Sequence, residues 1–203
     1  MKIGIFGGSF DPVHNGHVHA ALTYQEALGL DKVLIIPAYC APHKKGLAVT
    51  PSEHRLAMCH LAFDGLLGFE VSHIEIKRED EGYMVDTVAS LRELYPDDEF
   101  YLLMGGDMLQ NFRQWYCWHR LAEETTLVAA ARTWDEDAAL EAEAALLRSD
   151  GAEVRLIPID VKEISSTKVR EAVRRSDDIS YMVPEGVEEY IWNHYLYYGE
   201  EES

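Results

Sequence analysis

Six short apolar segments alternate along this chain with longer segments of helical periodicity. Strands that alternate with helices imply a parallel sheet covered by helices on both of its faces. Because the crossovers of such a sheet are right-handed, we expect an α/β doubly wound fold whose ligands bind at the carboxyl ends of the strands. The predicted strands span residues 2–6, 33–37, 69–77, 99–104, 126–131 and 153–158.

Seven helices are predicted between and after these strands. The second begins in the sequence TPSE, where Thr50 would be the N-cap, Pro51 the first helical residue and Glu53 the closing residue of a capping box. The 203 residues suit one domain, so we expect a single domain over residues 1–203 with a small C-terminal helical part at 165–197. The predicted helices span residues 17–28 (ending at Gly29), 51–63, 84–95, 107–123, 135–148, 166–175 and 185–194.

The charge of the chain restricts its partners. The formal net charge is −18, which repels nucleic acid and anionic membranes, so we expect neither as a partner. A small phosphorylated ligand could bind where basic residues gather, in APHKK (41–45) and SSTKVR (165–170). The three cysteines are an odd number without metal-type spacing, and no apolar run reaches the length of a membrane span. We therefore expect reduced thiols and a cytoplasmic protein.

A glycine-rich turn follows the first predicted strand, in the sequence GIFGGSFDPVHNGH (4–17). Gly7 and Gly8 let the backbone approach a ligand closely, and the next helix contributes free N–H groups at its start. The pattern is neither the P-loop GxxxxGK[ST] nor the dinucleotide-binding GxGxxG. The second strand ends in Pro37 and not in an acidic residue, which also disfavours a dehydrogenase of the dinucleotide-binding type.

Two histidines close this turn, His14 and His17, and the small Gly16 stands between them. At this spacing across a helix start, both imidazoles can lie on one side of a phosphate chain. Their N–H groups suit the charge that develops on a phosphoryl oxygen. Alternatively, the two rings only cap the helix or bond to core groups. A zinc site with His19 is disfavoured because no matching Cys or carboxylate follows.

These residues resemble a known superfamily of nucleotidyltransferases. The sequence GGSFDPVHNGH is similar to its HxGH signature, and ISSTKVR (164–170) is similar to its second signature, ISSTxxR. Within the superfamily, the chain resembles the bacterial nicotinate-nucleotide adenylyltransferases over essentially its whole length. The stretches that carry this closer resemblance are PAYCAPHKK (37–45), EGYMVDT (81–87), MGGDMLQNFRQW (104–115) and YMVPEGVEEYIWNHYLY (181–197).

The resemblance implies a Rossmann-like nucleotidyltransferase fold and a reaction. AMP would pass from ATP to nicotinate mononucleotide, giving deamido-NAD and pyrophosphate in NAD biosynthesis, with Mg²⁺ carried by the ATP and no metal-binding residue in the chain. The catalytic residues would be His14, His17, Lys44 and Arg170. ATP would contact Gly7, Gly8, Ser9, Phe10, His14, His17, Gly105, Asp107, Ile164, Ser165, Ser166 and Arg170. The mononucleotide would contact Lys44, Tyr83, Met84, Trp115 and Arg132.

Each of these roles has a plainer alternative. Lys44 would neutralise the mononucleotide phosphate, and Arg170 would grip the departing phosphates, but both could be solvated surface charges. Asp107 would bind ribose hydroxyls or serve as a helix N-cap. Trp115 would stack near the nicotinate ring or pack in the core. Arg132 follows a strand at its carboxyl end, where it could reach the site or solvent.

One position departs from the family pattern. Gly82, Tyr83 and Met84 stand where the family usually has Ser-Tyr-Thr. Met84 cannot donate a side-chain hydrogen bond, so recognition of the base would rest on backbone N–H groups and stacking. The preference for the acid over the amide is therefore left open. The alternatives are an enzyme that uses nicotinamide mononucleotide or phosphopantetheine, and a non-catalytic nucleotide sensor. Association into a homo-oligomer is also left open.

Overall fold

A parallel sheet, with six strands in the part of the chain that the structure describes, organises the molecule. The computed structural model describes residues 1–39, 49–78, 82–131, 138–160 and 164–199. The strands are β1 (Lys2–Gly8), β2 (Lys32–Pro37), β3 (Phe69–Val71), β4 (Glu99–Met104), β5 (Thr126–Ala131) and β6 (Val154–Pro158). In the sheet they follow the order β3-β2-β1-β4-β5-β6, and every neighbouring pair is parallel.

Helices cover both faces of this sheet. In the described residues they are α1 (Asn15–Leu28), α2 (Ser52–Phe63), α3 (Ile74–Arg78), α4 (Met84–Leu94), α5 (Gly106–Gln110), α6 (Trp118–Glu124), α7 (Ala138–Ser149), α8 (Ser166–Arg174) and α9 (Glu185–Asn193). Buried residues of α1, α2, α8 and α9 share one apolar cluster, and those of α4, α5, α6 and α7 share the other. The predicted α/β doubly wound fold with a small C-terminal helical part is confirmed.

The central strand β1 shows why both faces are covered. Ile3 and Ile5 are fully buried on the side of α4 to α7, whereas Phe6 is buried on the side of α1, α2, α8 and α9. Successive side chains of a strand point to opposite faces, so a strand that is apolar at nearly every position needs helices on both. The chain turns from one half of the sheet to the other between β1 and β4. A crevice opens at such a switch point, beyond the carboxyl ends of the strands.

The predicted strand at 69–77 is wrong beyond Val71. The Ser72 hydroxyl accepts a hydrogen bond from the Ile74 N–H at 3.3 Å, and α3 begins at that residue. This local bond favours a helix over a continued strand. Glu75 is buried in this helix.

The predicted helix at 107–123 is divided into three pieces. The short helix α5 ends at Gln110, a 3₁₀ turn covers Phe112–Gln114, and α6 starts only at Trp118. Cys117 has a left-handed backbone conformation, with φ 53°, and this interrupts the helix directly before α6. The interruption leaves Trp115 and Tyr116 outside any helix, where both line the crevice.

The predicted cap of α2 is also wrong. Pro51 is the N-cap, and it makes no side-chain hydrogen bond. Tertiary contacts occupy Thr50 instead, because its carbonyl accepts from Arg55 Nε at 2.9 Å and its N–H donates to Asp11 at 3.4 Å. The ends of the other predicted elements, where they fall in the described residues, are observed as predicted or within two residues of the prediction. Gly29 ends α1 at φ 59° as predicted.

In the described residues, no helix is long and apolar enough to cross a bilayer. Cys59 is a buried free thiol and Cys117 an exposed one, whereas Cys40 lies outside the described residues.

Candidate active site

A large cleft lies where β1 and β4 end side by side. Gly7 and Gly8 close β1, and Gly105 follows β4. The cleft has a volume of about 1530 Å³. Pockets for one drug-sized ligand have about 300–1,000 Å³, so this cleft has room for two nucleotides. Its position is the ligand site expected of a doubly wound sheet.

Most of the predicted binding residues line this cleft. They are Gly7, Gly8, Ser9, Phe10, His14, His17, Tyr83, Met84, Gly105, Asp107, Trp115, Ile164, Ser165 and Ser166. Lys44 and Arg132 lie outside the described residues. Arg170 is described but is not among the residues that line the cleft.

The glycine turn is tightly packed around its backbone. A Cβ at Gly7 would lie 2.6 Å from the Met84 methyl group, so Met84 uses space that only glycine leaves. Phe10 has a left-handed backbone at φ 47°, which turns its ring into the core at 2 % exposure. That ring packs edge-on against His17, with centroids 5.0 Å apart. The position of the turn therefore determines where His17 sits.

His14 and His17 cap α1 reciprocally. The Nδ1 of His14 accepts from the His17 N–H at 3.3 Å, and the Nδ1 of His17 accepts from the His14 N–H at 3.2 Å. This is a capping box in which two imidazoles replace the usual hydroxyl and carboxylate. The rings stack with centroids 3.6 Å apart, and a Cβ on Gly16 would lie 3.0 Å from the His14 ring. Capping and a place in the cleft are thus combined in the same two side chains.

The capping bonds determine where the protons lie. An Nδ1 that accepts a hydrogen bond carries no proton, so the Nε2 of each ring carries it. Burial lowers the pKa of His14 to about 4, so this ring is neutral at physiological pH. Both rings line the cleft, and an imidazole N–H is a donor that can stabilise charge on a phosphoryl oxygen.

A second helix begins beside the first. Ser165 is the N-cap of α8 and accepts from the Lys168 N–H at 3.2 Å, while the Ser166 hydroxyl donates to the Pro12 carbonyl at 2.9 Å. The Ile164 carbonyl lies near Gly16, so the N-termini of α1 and α8 meet across the turn. Helix N-termini attract anions through their dipole and free N–H groups. Together they favour a polyphosphate in this half of the cleft.

Arg170 holds the turn from behind. Its Nη1 donates to the Asp11 carbonyl at 2.6 Å, and its Nη2 donates to the Thr167 hydroxyl at 3.2 Å. The side chain is half-buried one turn into α8. To reach a phosphate in the cleft it would use its remaining N–H donors or exchange one of these bonds.

The other half of the cleft is aromatic. The Tyr83 ring lies 4.9 Å from Tyr116, and the Trp115 ring packs 5.3 Å from Phe112 while it also lines the cleft. Core packing and exposure to the ligand are thus both true of Trp115. Asp107 lies in the first turn of α5, where Gly105 is the N-cap, so the alternative of Asp107 as an N-cap is wrong.

Some lining residues had no signal in the sequence. Tyr116, Glu75 and His19 line the cleft, although the sequence motifs assign a binding role to none of them. Glu75 is buried at 2 % exposure and accepts from the Thr87 hydroxyl at 2.7 Å. Over the described ranges, no group of three or more His, Cys, Asp or Glu side chains forms a metal-sized site.

Comparison with known proteins agrees with this geometry. The family model described as Cytidylyltransferase-like matches residues 5–172. The "Probable nicotinate-nucleotide adenylyltransferase" of Thermomicrobium roseum is 39% identical over 198 residues, which cover 97% of this chain and 91% of the relative. The protein of the same name from Thermus thermophilus is 40% identical over 199 residues, with 97% and 100% covered.

Solved structures share the fold. The Plasmodium falciparum nicotinic acid mononucleotide adenylyltransferase complexed with NaAD superimposes with a TM-score of 0.77 at 20% identity, over 97% of both chains. The same enzyme complexed with APC gives 0.74 at 19% identity, over 97% of this chain and 96% of that one. At these identities the likeness concerns the fold, whereas the full-length relatives establish the kinship. The chain therefore belongs to the nicotinate-nucleotide adenylyltransferase family.

Proposed function

We propose that this chain transfers AMP from ATP to nicotinate mononucleotide, releasing pyrophosphate and forming deamido-NAD in NAD biosynthesis. The observation that carries the proposal is the stacked pair of imidazoles, His14 and His17, in the cleft at the carboxyl end of β1. The full-length relatives named for this activity support the choice of substrates.

The chemistry needs positioning more than a covalent catalyst. A phosphate oxygen of the mononucleotide attacks the α-phosphorus of ATP in line, the new P–O bond forms, and the bond to the β-phosphate oxygen breaks. Pyrophosphate leaves with the electron pair of that bond. Such a transfer gains its rate from alignment and from stabilisation of charge on the phosphoryl oxygens.

The triphosphate is assigned to the half of the cleft between α1 and α8. The Nε2–H groups of His14 and His17 donate to the oxygens that crowd the transition state. Ser165, Ser166 and the start of α8 receive the departing phosphates, with Arg170 as the cation beside them. These roles rest on the family motifs and are supported by the positions of the residues in or beside the cleft.

The mononucleotide is assigned to the aromatic half. Tyr83, Met84 and Trp115 surround its pyridine ring. Asp107 is assigned to the ATP, where its carboxylate accepts from a ribose hydroxyl. Lys44 and Arg132 are proposed as cations for its phosphate, from the family pattern alone. With Met84 in place of a hydroxyl residue, the ring is recognised by stacking and by backbone N–H groups.

Magnesium is proposed as a companion of ATP. Mg²⁺ keeps several waters and binds through substrate phosphates with one or two carboxylates, so it needs no cage of protein ligands. Asp107 lies in the cleft but is assigned to a ribose, so the ligands of the ion are proposed to be ATP phosphates and water. Bound there, the ion neutralises phosphate charge.

The single-domain organisation over residues 1–203 and the cytoplasmic location stay predictions.

A paired assay tests the function. The purified protein is incubated with ATP, Mg²⁺ and either nicotinate mononucleotide or nicotinamide mononucleotide, and the dinucleotide is separated by chromatography. We expect a strong preference for the acid. Comparable use of both would indicate a base pocket loosened by Met84, and absence of product from either would overturn the proposal. Phosphopantetheine is then the next acceptor to assay, before a sensor is considered.

A further inference from the structure

Among the described residues, Arg55 is the largest of the fully buried side chains, at 2 % exposure, and it lies outside the cleft. It projects from α2 and donates three hydrogen bonds, all to backbone carbonyls. Nη1 donates to Ser9 at 2.7 Å, Nη2 to Tyr39 at 3.1 Å and Nε to Thr50 at 2.9 Å. The three acceptors belong to three separate segments, which follow β1, follow β2 and precede α2.

Burying a guanidinium without a directly bonded acid is costly. In the part of the chain that the structure describes, no carboxylate lies within ion-pair distance of Arg55. Burial lowers the pKa of Arg55, and the negative charge of Asp11 acts in the opposite direction. The hydrogen bonds of Arg55 offset part of this cost. They also satisfy the backbone carbonyls of three turn residues, which have no partner in a neighbouring strand.

The Ser9 bond connects Arg55 to the cleft. Ser9 stands between Gly8 and Phe10, and all three line the cleft. Phe10 packs edge-on against His17, so a shift of Ser9 reaches the histidine through a single intervening ring. The next residues of the turn are held by other elements, since Arg170 bonds to the Asp11 carbonyl and Ser166 to the Pro12 carbonyl.

We propose that Arg55 is a positioning residue for adenylyl transfer, which holds Ser9 of the glycine turn against Tyr39 and Thr50 and so aligns His14 and His17 with the transferred phosphate. This inference rests on the proposed function. Arg55 would thereby preorganise the active site. Such a role matters because a displacement of catalytic groups by about 1 Å can lower the rate about 100-fold.

Arg92 provides a matched control at the opposite end of the sheet. It also donates to three backbone carbonyls, those of Tyr95, Asp98 and Glu124, at distances from 2.6 to 3.5 Å. Its guanidinium packs 4.1 Å from the Phe100 ring. If Arg55 only stabilises the fold, replacement of either arginine by lysine will have the same kind of effect.

The experiment compares Arg55→Lys with Arg92→Lys in steady-state kinetics, well below the Tm of both variants. We expect Arg55→Lys to lower kcat about 10- to 100-fold while KM for ATP and for the mononucleotide changes less than about threefold. Arg92→Lys should leave kcat within about twofold of the wild type while it lowers the Tm. A kcat for Arg55→Lys within twofold of the wild type would overturn the proposal.

Amide hydrogen exchange gives a readout that does not need turnover. Arg55→Lys should accelerate exchange in the peptide that covers residues 9–17, whereas Arg92→Lys should accelerate it near residues 95–99. Should Arg55→Lys fail to fold, Arg55→Gln keeps an uncharged donor at the position, and the same two results are expected. Unchanged exchange at 9–17 in a folded Arg55 variant contradicts the positioning role. An inactive wild type would instead refute the proposed function and leave the exchange comparison decisive for Arg55.

Discussion

At the scale of single residues, the histidine pair combines two tasks that the sequence presented as alternatives. Each Nδ1 caps the start of α1, and this bond leaves the proton on Nε2. In the proposed function, stability and chemistry thus depend on different atoms of the same ring. The two tasks can therefore be separated by substitutions that keep one atom and remove the other.

Replacement of His17 tests this separation. His17→Ala removes both the cap and the donor, so we expect a loss of about 1 kcal/mol in stability and a fall in kcat of about 10²–10³-fold. His17→Gln keeps an acceptor for the His14 N–H, so its stability should stay near that of the wild type while kcat still falls. Urea midpoints and saturating kinetics measure the two effects. Near-normal turnover of His17→Ala is the result that would disprove the role.

His14 makes stability depend on pH. Its pKa is about 4 in the folded protein, against an ordinary value of 6.5, because burial disfavours the charged ring. The unfolded chain therefore binds more protons in this interval, and stability is full above pH 6.5 and falls as the pH drops towards 4. The loss amounts to about 3 kcal/mol, at about 1.4 kcal/mol per pKa unit.

Urea unfolding of the wild type and of His14→Asn between pH 4 and 7 measures this loss. Asn keeps an N-cap acceptor but has no proton to gain, so its stability should fall less over the interval. Parallel pH profiles for the two proteins would rule out His14 as the source.

At the scale of elements, the local sequence pattern predicted the long strands and helices correctly. It failed where contacts with residues distant in sequence determine the local structure. The apolar strands at 99–104 and 126–131 form as expected, because burial on both faces leaves little choice. Thr50 was expected to cap α2, but Asp11 and Arg55 bind its backbone instead. The chain from Phe112 to Cys117 was expected to be helical. It instead separates α5 from α6 and leaves the rings of Trp115 and Tyr116 in the cleft.

Close approach of α5 to β5 gives a prediction at this scale. A Cβ at Gly106 would lie 2.8 Å from the Ala130 carbonyl oxygen and 3.2 Å from a methyl group of Leu140. Since backbone must move, we expect Gly106→Ala to destabilise the protein by about 1–3 kcal/mol. Gly65 has no atom within 4 Å of such a Cβ, so Gly65→Ala should be neutral or stabilise by up to about 1 kcal/mol. Equal urea midpoints for the two variants would contradict this account.

At the scale of the whole molecule, the segment after α9 contacts the glycine-rich turn after β1. The Tyr197 hydroxyl donates to the Asp11 carboxylate at 2.8 Å, across 186 residues of sequence. Asp11 is 5 % exposed and also accepts from the Thr50 N–H. Burial and the charge of Asp11 raise the pKa of Tyr197, so its proton stays in this bond. The segment after α9 is thus part of the support of the glycine turn.

Removal of this hydroxyl has a defined effect. Tyr197→Phe leaves a buried carboxylate with one hydrogen bond fewer, and hydrogen bonds to charged groups contribute about 1.5–3 kcal/mol. We expect a loss of that size in urea unfolding. Tyr195 is 78% exposed, so Tyr195→Phe should change stability by less than about 0.5 kcal/mol. A Tyr197→Phe protein as stable as Tyr195→Phe would show that the link carries no energy.

The sequence by itself determined the features that depend on residues close together along the chain. The alternation of apolar and helical segments predicted the α/β class, and two motifs pointed to the residues now found in or beside the cleft between β1 and β4. The tertiary structure alone decided how these residues are held. Arg55, Asp11 and Tyr197 join turns that are distant in sequence, and a single buried arginine or tyrosine has no periodicity to reveal its partner. Such contacts form only when the sheet has brought the turns together, and for that reason the support of the site could not be predicted.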